Sequence, residues 1–342
     1  MKTQKSEPHA YSNESQNRLC DRNHQNSTLE DGIDRRNFLS CMAWAGTGLL
    51  WTMAGGIPTS KLFAATGEGA LSREKSAQEN GFSFVQISDS HIGFNKAANQ
   101  DVAGTLQAAI NKINRLPVTP DLMLHTGDIT HSSRPGEFDM AQQIVKGAKA
   151  GETFYVPGEH DTASDDGALY RERFGKGTVG SGWYSFHHKG VHFVGLNNVQ
   201  QIDQMGTLGA DQLLWLKKDL ADQPSSMPIV IFAHIPLWMV YPEWGWGTAD
   251  GAEALSYLKR FGSVTVLNGH IHQVVQKVEG NVAFHTAMST AFPQPSPGAA
   301  PNPGPMVVPA GKLQSVLGIT KVNFVARQSH LAIVDSSLAD EA

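Results

Sequence analysis

The 342-residue sequence is poor in cysteine, and both of its cysteines, Cys20 and Cys41, lie near the N-terminus. A chain processed near residue 65 would hold none, which excludes disulfides and cysteine-based metal sites and suits an oxidising compartment. Basic clusters are lacking as well. Residues 1–65 carry seven Lys or Arg and six Asp or Glu, leaving 20 basic and 26 acidic residues in the remainder. A chain that neutralises many nucleic-acid phosphates needs a basic face, so DNA or RNA is excluded as the main partner. Neither Gly-x-Ser-x-Gly nor H-x-H-x-D-H occurs, which argues against a serine hydrolase and a metallo-β-lactamase-like hydrolase. No internal repeat is present.

With 40% hydrophobic and 17% charged residues the chain is globular and long enough to bury a substantial core. Its first 34 residues are polar. Asp34-Arg35-Arg36-Asn37-Phe38-Leu39 follows, then an apolar run from Phe38 to Ile57 that is weakened by Gly46, Gly48, Gly55 and Gly56. The pattern resembles a twin-arginine export signal, whose machinery would be a partner and would deliver a periplasmic or otherwise exported protein. An uncleaved segment would instead leave the chain anchored to a membrane, although a run so rich in glycine suits a signal better than a stable spanning helix. Three segments result: a signal at 1–65, with cleavage in the Leu62–Gly69 neighbourhood, a linker at 66–80 and a folded domain at 81–338.

Within that domain, Phe82–Ile87, Leu122–His125, Thr153–Val156, Ile229–Ala233 and Val264–Leu267 are short apolar runs that end in polar motifs and predict buried strands. Helical patterns at Val102–Leu116, Phe138–Ala150, Ala210–Ala221 and Ala252–Phe261 alternate with them, which predicts an α/β layer architecture. Hairpins are expected at Trp183–Phe186 with Val191–Leu196 and at Ile319–Ala326 with Leu331–Val334. A Pro/Gly-rich stretch at 291–311 predicts a long loop.

The chemistry-bearing pieces are Asp89-Ser90-His91, Gly127-Asp128, Gly158-Glu159-His160-Asp161, His234 and Gly269-His270-Ile271-His272. Each follows an expected strand, where open α/β sheets bind ligands. Carboxylates and imidazoles suit hard divalent or trivalent metals, and two such ions about 3.5 Å apart need a bridging oxygen, for which Asp128 is the natural candidate. The x-residue in Asp89-Ser90-His91 and in His270-Ile271-His272 would place both ligands on one side of an extended backbone. Gly127, Gly158 and Gly269 would let the chain turn as each strand ends.

In order and spacing these pieces resemble the D-x-H, GD, GNH(D/E), H and G-H-x-H pattern of the calcineurin-like metallophosphoesterases, over roughly residues 82–285. The resemblance implies a four-layer αββα sandwich of two mixed sheets flanked by helices. It also implies two metal ions, of Fe, Mn or Zn, and a small-molecule phosphoester substrate hydrolysed by a metal-bridging hydroxide. Asp89, His91, Asp128 and His272 would hold the first metal, and Asp128, Glu159, His234 and His270 the second. His160 would face the substrate as the acid for the leaving group, and Asp161 would orient it through a hydrogen bond.

Two departures matter. Glu159 stands where the family has asparagine, which adds an anion, favours a tightly held or trivalent second metal, and suits a diester better than a monoester dianion. His131 stands where the purple acid phosphatase branch places tyrosine, either as an extra first-metal ligand or as a loop histidine. The aromatic loop after His234 contains Trp238, Tyr241, Trp244 and Trp246, and Trp238 and Tyr241 are candidates for substrate contact. A metal-binding or sensory protein without turnover is the competing reading.

Overall fold

The computed structural model describes residues 51–54, 57–60, 81–199, 202, 204–325 and 331–340. The chain divides into Met1–Leu50, outside the described residues, and Trp51–Ala342, which holds every element below. The twin-arginine pair and the expected cleavage neighbourhood therefore lie outside the described residues. Near the end of the apolar run, β1 (Trp51–Ala54) pairs antiparallel with β2 (Ile57–Ser60). Among the described residues no helix is long and apolar enough to cross a membrane.

Two mixed sheets carry the domain. In the first, β3 (Gly81–Ile87), β4 (Leu122–His125) and β5 (Glu152–Tyr155) run parallel, while β12 (Gly318–Val325) adds antiparallel to β3 and β13 (Ala332–Ser337) antiparallel to β12. In the second, β7 (Val191–Gly195), β8 (Ile229–Phe232), β9 (Val264–Asn268) and β11 (Val282–Thr286) are parallel. Antiparallel edges β6 (Tyr184–His188) and β10 (Gln276–Glu279) close it.

Strand alternation explains how the layers stack. Phe82, Phe84, Leu122 and Leu124 of the first sheet share a buried cluster with Val191, Phe193, Val230 and Phe232 of the second, so the sheets meet face to face. Val85, Ile87 and Met123 point the other way, against Leu106, Ile110 and Ile113 of α1 (Val102–Asn114) and Phe138 and Ala141 of α2 (Pro135–Val145). Val194, Ile229, Ile231, Val264 and Val266 likewise pack under Leu213, Leu216 and Leu220 of α5 (Ala210–Ala221) and Ala254 and Leu258 of α6 (Gly251–Leu258). Helix, sheet, sheet, helix is the four-layer sandwich that the family resemblance implies. Local capping fixes where the helices begin. Asp101 accepts from Gly104 N at 2.8 Å to start α1, and Pro135 supplies the preset φ of the first turn of α2.

Three elements form without a sequence signal to announce them. Polar, largely exposed Gln276–Glu279 forms β10 with no apolar run. The one-turn helix α3 (Glu159–Thr162) and the short α4 (Ala168–Phe174) sit in a stretch dominated by acidic and turn residues. Both expected hairpins and the loop form, with no helix or strand between Thr286 and Leu313, where α7 (Leu313–Val316) begins.

Candidate metal centre

Loops leaving the carboxyl ends of β3, β4, β5, β8 and β9 bring all five motifs together, at one end of both sheets. Donor atoms of Asp89, His91 and His272 lie within 4.8 Å of one another, as do those of Glu159, His234 and His270, and those of Asp89, Asp128 and His234. Asp128 Oδ2 stands 3.4 Å from His91 Nε2 and 3.4 Å from His234 Nε2, one atom from each of the first two groups. Glu159 reaches His234 Nε2 and His270 Nδ1 at 3.0 Å each, and His272 Nε2 is 3.3 Å from Asp89 Oδ1.

The backbone that delivers these side chains is not extended. Asp89, His91, Asp128, His270 and His272 all have φ between 41° and 71°, a left-handed conformation that non-glycine residues adopt at a cost of about 1–3 kcal/mol. The two-residue spacing therefore works through successive left-handed kinks, and His270 and His272 serve different groups. The glycines also act differently from expectation. Gly127 does have φ 94°. Gly158 and Gly269 instead owe their identity to close approach: a Cβ on Gly158 would collide with the Asp128 carboxylate and backbone nitrogen, and one on Gly269 would come to 2.7 Å from Asp89 Oδ2 and collide with Ser88 Oγ.

Imidazole orientation is set from behind. His234 Nδ1 donates to Thr126 O at 2.7 Å and His272 Nδ1 to Phe292 O at 2.5 Å. In the neutral ring each bond fixes the tautomer with the lone pair on Nε2, the nitrogen that faces the carboxylates. Glu159 Oε2, His234 Nε2 and His270 Nδ1 are buried without a hydrogen bond of acceptable geometry, although they converge. Buried nitrogens and carboxylate oxygens that converge without hydrogen-bond partners, with three buried carboxylates among them, are the arrangement a cation resolves, so these residues fit metal ions.

Charge follows from the same packing. Burial works against ionising Glu159, but His270 and His234 outweigh it and hold the carboxyl well below the usual range. Asp89 is lowered likewise, with His272 and His234 overcoming its burial. Burial and the neighbouring His160 and His272 keep His91 well below the ordinary imidazole value, a neutral and ligand-competent state. His160 is raised: its burial is outweighed by Asp128 and Glu159.

His160 Nδ1 donates to His131 O at 2.8 Å, and its backbone N–H to Asp128 Oδ1 at 2.9 Å. The hydrogen bond expected between Asp161 and His160 is thus not the one made. Asp161 accepts from the backbone N–H groups of Ile129, Thr130 and Gly158 at 2.8–3.0 Å and from Thr130 Oγ1 at 2.9 Å, tying the loop after β4 to the loop after β5. Its side chain turns back over the N-terminus of α3 because it sits three residues beyond the N-cap Gly158. Burial and Asp128 push its carboxyl up to about 7, against those four donors.

His131 is not grouped with Asp89 and His272, but its donor atom lies within 4.8 Å of those of His91 and His160, a further set that could hold a metal ion. It lies 3.4 Å from His91 Nδ1, on the opposite side of that ring from Asp128, and stacks on His160 with centroids 4.7 Å apart. A cavity of about 560 Å3 opens here, lined by His91, His160, Phe94, Phe292, Trp244 and Glu243 among others. Of the aromatic loop, Trp244 and Trp246 line it. Trp238 does not: it is buried against Phe284 in the cluster beneath the second sheet's helices. Tyr241 packs edge-on to Trp244 at 5.1 Å and supports that wall from behind.

Three further buried histidines make packing and pairing contacts away from the motif groups. His125 is buried with Nε2 3.0 Å from Ser90 Oγ, and burial lowers it to about 3. His285 and His192 pair with Asp335 and Asp219 at 2.9 and 2.7 Å.

The family model described as calcineurin-like phosphoesterase matches residues 82–274, more than half of the chain and all five motifs. The chain belongs to the calcineurin-like phosphoesterase family. Among relatives of this phosphoesterase, a 3',5'-cyclic-nucleotide phosphodiesterase of Nostoc is 26% identical over 216 residues, covering 61% of this chain and 79% of its own. A serine/threonine-protein phosphatase of Mus musculus is 27% identical over 231 residues, covering 60% and 74%. In fold, a dimetal phosphatase from Danio rerio superposes with TM-score 0.56 at 14% identity, covering 76% of this chain and 98% of that one. The phosphoesterase is a metal-dependent phosphoric ester hydrolase, and its family implies divalent metal ions.

Proposed function

We propose that this phosphoesterase hydrolyses phosphodiesters with two metal ions, one held by Asp89, His91, Asp128 and His272 and the other by Asp128, Glu159, His234 and His270. The observation that carries the reading is Asp128 Oδ2, 3.4 Å from a histidine nitrogen of each group, where a bridging carboxylate belongs. Three carboxylates favour a trivalent ion such as iron in one position, with Mn or Zn in the other. When bound, the metals supply an activated water and neutralise charge on the phosphoryl oxygens.

The protein's own residues bind, orient and move protons. His160 spends Nδ1 on the His131 carbonyl, which leaves Nε2 for the substrate, and its raised pKa suits a proton donor to the leaving oxygen. Glu159 disfavours a second negative charge on the phosphoryl group, which supports diester over monoester. Trp244, Trp246, Phe94 and Phe292 offer the ester's organic group an apolar wall. Residues 1–65 are read as a twin-arginine leader ahead of a domain at 81–338, on the strength of Arg35-Arg36 and the apolar run after it.

The test is elemental analysis of the purified protein, with turnover of bis-p-nitrophenyl phosphate and p-nitrophenyl phosphate by wild type and Asp128→Asn. Two metals per chain and diester hydrolysis that disappears in the variant are expected. Bound metal with no turnover of either ester would replace this reading with a non-catalytic metal site.

A further inference from the structure

The segment Ser289–Phe292, between β11 and the Pro-rich loop, is wholly buried and belongs to none of the five motifs. It nonetheless touches three of the four residues assigned to the first metal. Ser289 Oγ donates to the Asp89 carbonyl at 2.8 Å and accepts from the N–H groups of Ala291 and Phe292 at 2.8 and 3.2 Å. The Phe292 carbonyl accepts from His272 Nδ1. The Phe292 ring lies 4.8 Å from His91 at an interplanar angle of 27°, 4.8 Å from His272, and 4.3 Å from Phe94.

The segment is itself pinned. Thr290 N donates to Ser88 O at 3.0 Å, and Asn99 Nδ2 to Ala291 O at 2.6 Å, so the residue that follows β3 and the loop before α1 both fix it. The other group is held by different means: His234 rests on Thr126 O, and Glu159 is carried by α3.

We propose that Ser289–Phe292 is a strap that sets retention of the first metal alone, with Phe292 and Ser289 as positioning residues that act through His91, His272 and Asp89. Three physical effects combine. The carbonyl of Phe292 holds His272 in the tautomer with a free Nε2. Its ring restricts both imidazoles to one rotamer, so little side-chain entropy remains to be lost when an ion binds. The Ser289 hydroxyl holds the Asp89 peptide, whose φ of 54° is disfavoured unless its surroundings enforce it. Loss of an outer contact of this kind lowers metal affinity about 10–100-fold.

This inference rests on the two-metal reading, and the experiment separates them. Protein loaded with Co(II) is passed over a desalting column in the presence of a chelator, and metal content and visible absorption are measured. Wild type should keep two ions, and Phe292→Ala and Ser289→Ala one. The ion that remains should show the spectrum of the one kept by a His91→Ala reference, not by His270→Ala. Phe292→Leu, which keeps apolar cover while the backbone carbonyl is common to both variants, should restore most of the retention and serves should Phe292→Ala fail to fold. Wild type that binds no metal would overturn the two-metal reading. Wild type and both alanine variants retaining both ions equally, or the variants losing the His270 ion instead, would overturn the strap alone.

Discussion

Alanine at Gly158 tests whether this glycine exists for the approach of the bridging carboxylate. Gly158 has φ −98° and ψ 172°, an extended conformation open to any residue, so alanine there carries no backbone strain. Its Cβ, however, would collide with Asp128 Oδ1 and the Asp128 backbone nitrogen, with Asp128 Cγ 2.6 Å away. Restoring ordinary contact distance requires the Asp128 carboxylate to move by more than about 1 Å and its backbone to give way as well, which would also break its hydrogen bond from His160 N. Overpacking of this kind costs about 1–3 kcal/mol of stability, and a displacement of that size about 100-fold in rate. Gly136 is the internal control. It lies in the first turn of α2 with nothing within 4 Å of where a methyl would project, so alanine should stabilise by about 0.4–1 kcal/mol and leave turnover alone. Urea unfolding, metal content and diester turnover of the two variants should separate them on these lines. Gly158→Ala with wild-type metal content and turnover would refute the reasoning.

Two other positions separate packing from chemistry. Trp238→Ala should cost about 3–5 kcal/mol of stability with an unchanged KM, because Trp238 fills the core beside Phe284, whereas Trp244→Ala should raise KM with a smaller loss of stability; unfolding curves and steady-state kinetics on both variants decide. Asp161→Ala leaves three buried N–H groups and the Thr130 hydroxyl without their acceptor, and should cost at least about 3 kcal/mol while Asp161→Asn, which keeps an acceptor oxygen, costs less; equal unfolding midpoints for the two variants would count against the clamp.

The layers and the centre were legible because strand burial and metal affinity are written in residue type. Val85 and Ile87 against Phe82 and Phe84 declare two buried faces of β3, and histidines and carboxylates after each strand declare a hard-metal site. What lay hidden depends on contacts far apart in the chain. Ser289 meets Asp89 across 200 residues, and nothing near Ser289 in sequence predicts it. The carboxylate of Asp161 looked like the partner of the histidine beside it, but a one-turn helix turns it back onto backbone donors. Trp238 and Trp244 are both loop aromatics in sequence, and only the turn between them sends one to the core and the other to the cavity. The left-handed φ of five candidate ligands is invisible for a related reason: aspartate and histidine do not call for that conformation, and the surrounding bonds impose it.

Glu159 is one of the two places where this chain departs from the pattern it resembles, and restoring asparagine there measures what the added anion does. Its carboxylate stands 3.0 Å from both His234 Nε2 and His270 Nδ1, so it is placed to be a donor to the proposed second ion. Glu159→Asn removes one negative charge from a buried site, and a unit charge at about 5 Å in an effective dielectric of about 20 is worth roughly 3 kcal/mol at most. Retention of the second ion should therefore fall. If activity is measured with metal in excess so that both positions stay filled, the ratio of monoester to diester turnover should rise about 10–100-fold, because the monoester carries the extra charge that Glu159 opposes. The sign is the sensitive part. A carboxylate that acted only as a ligand would, when replaced, slow both esters together, and an unchanged ratio at full metal loading would assign any preference for diesters to the shape of the Trp244 and Phe292 wall instead.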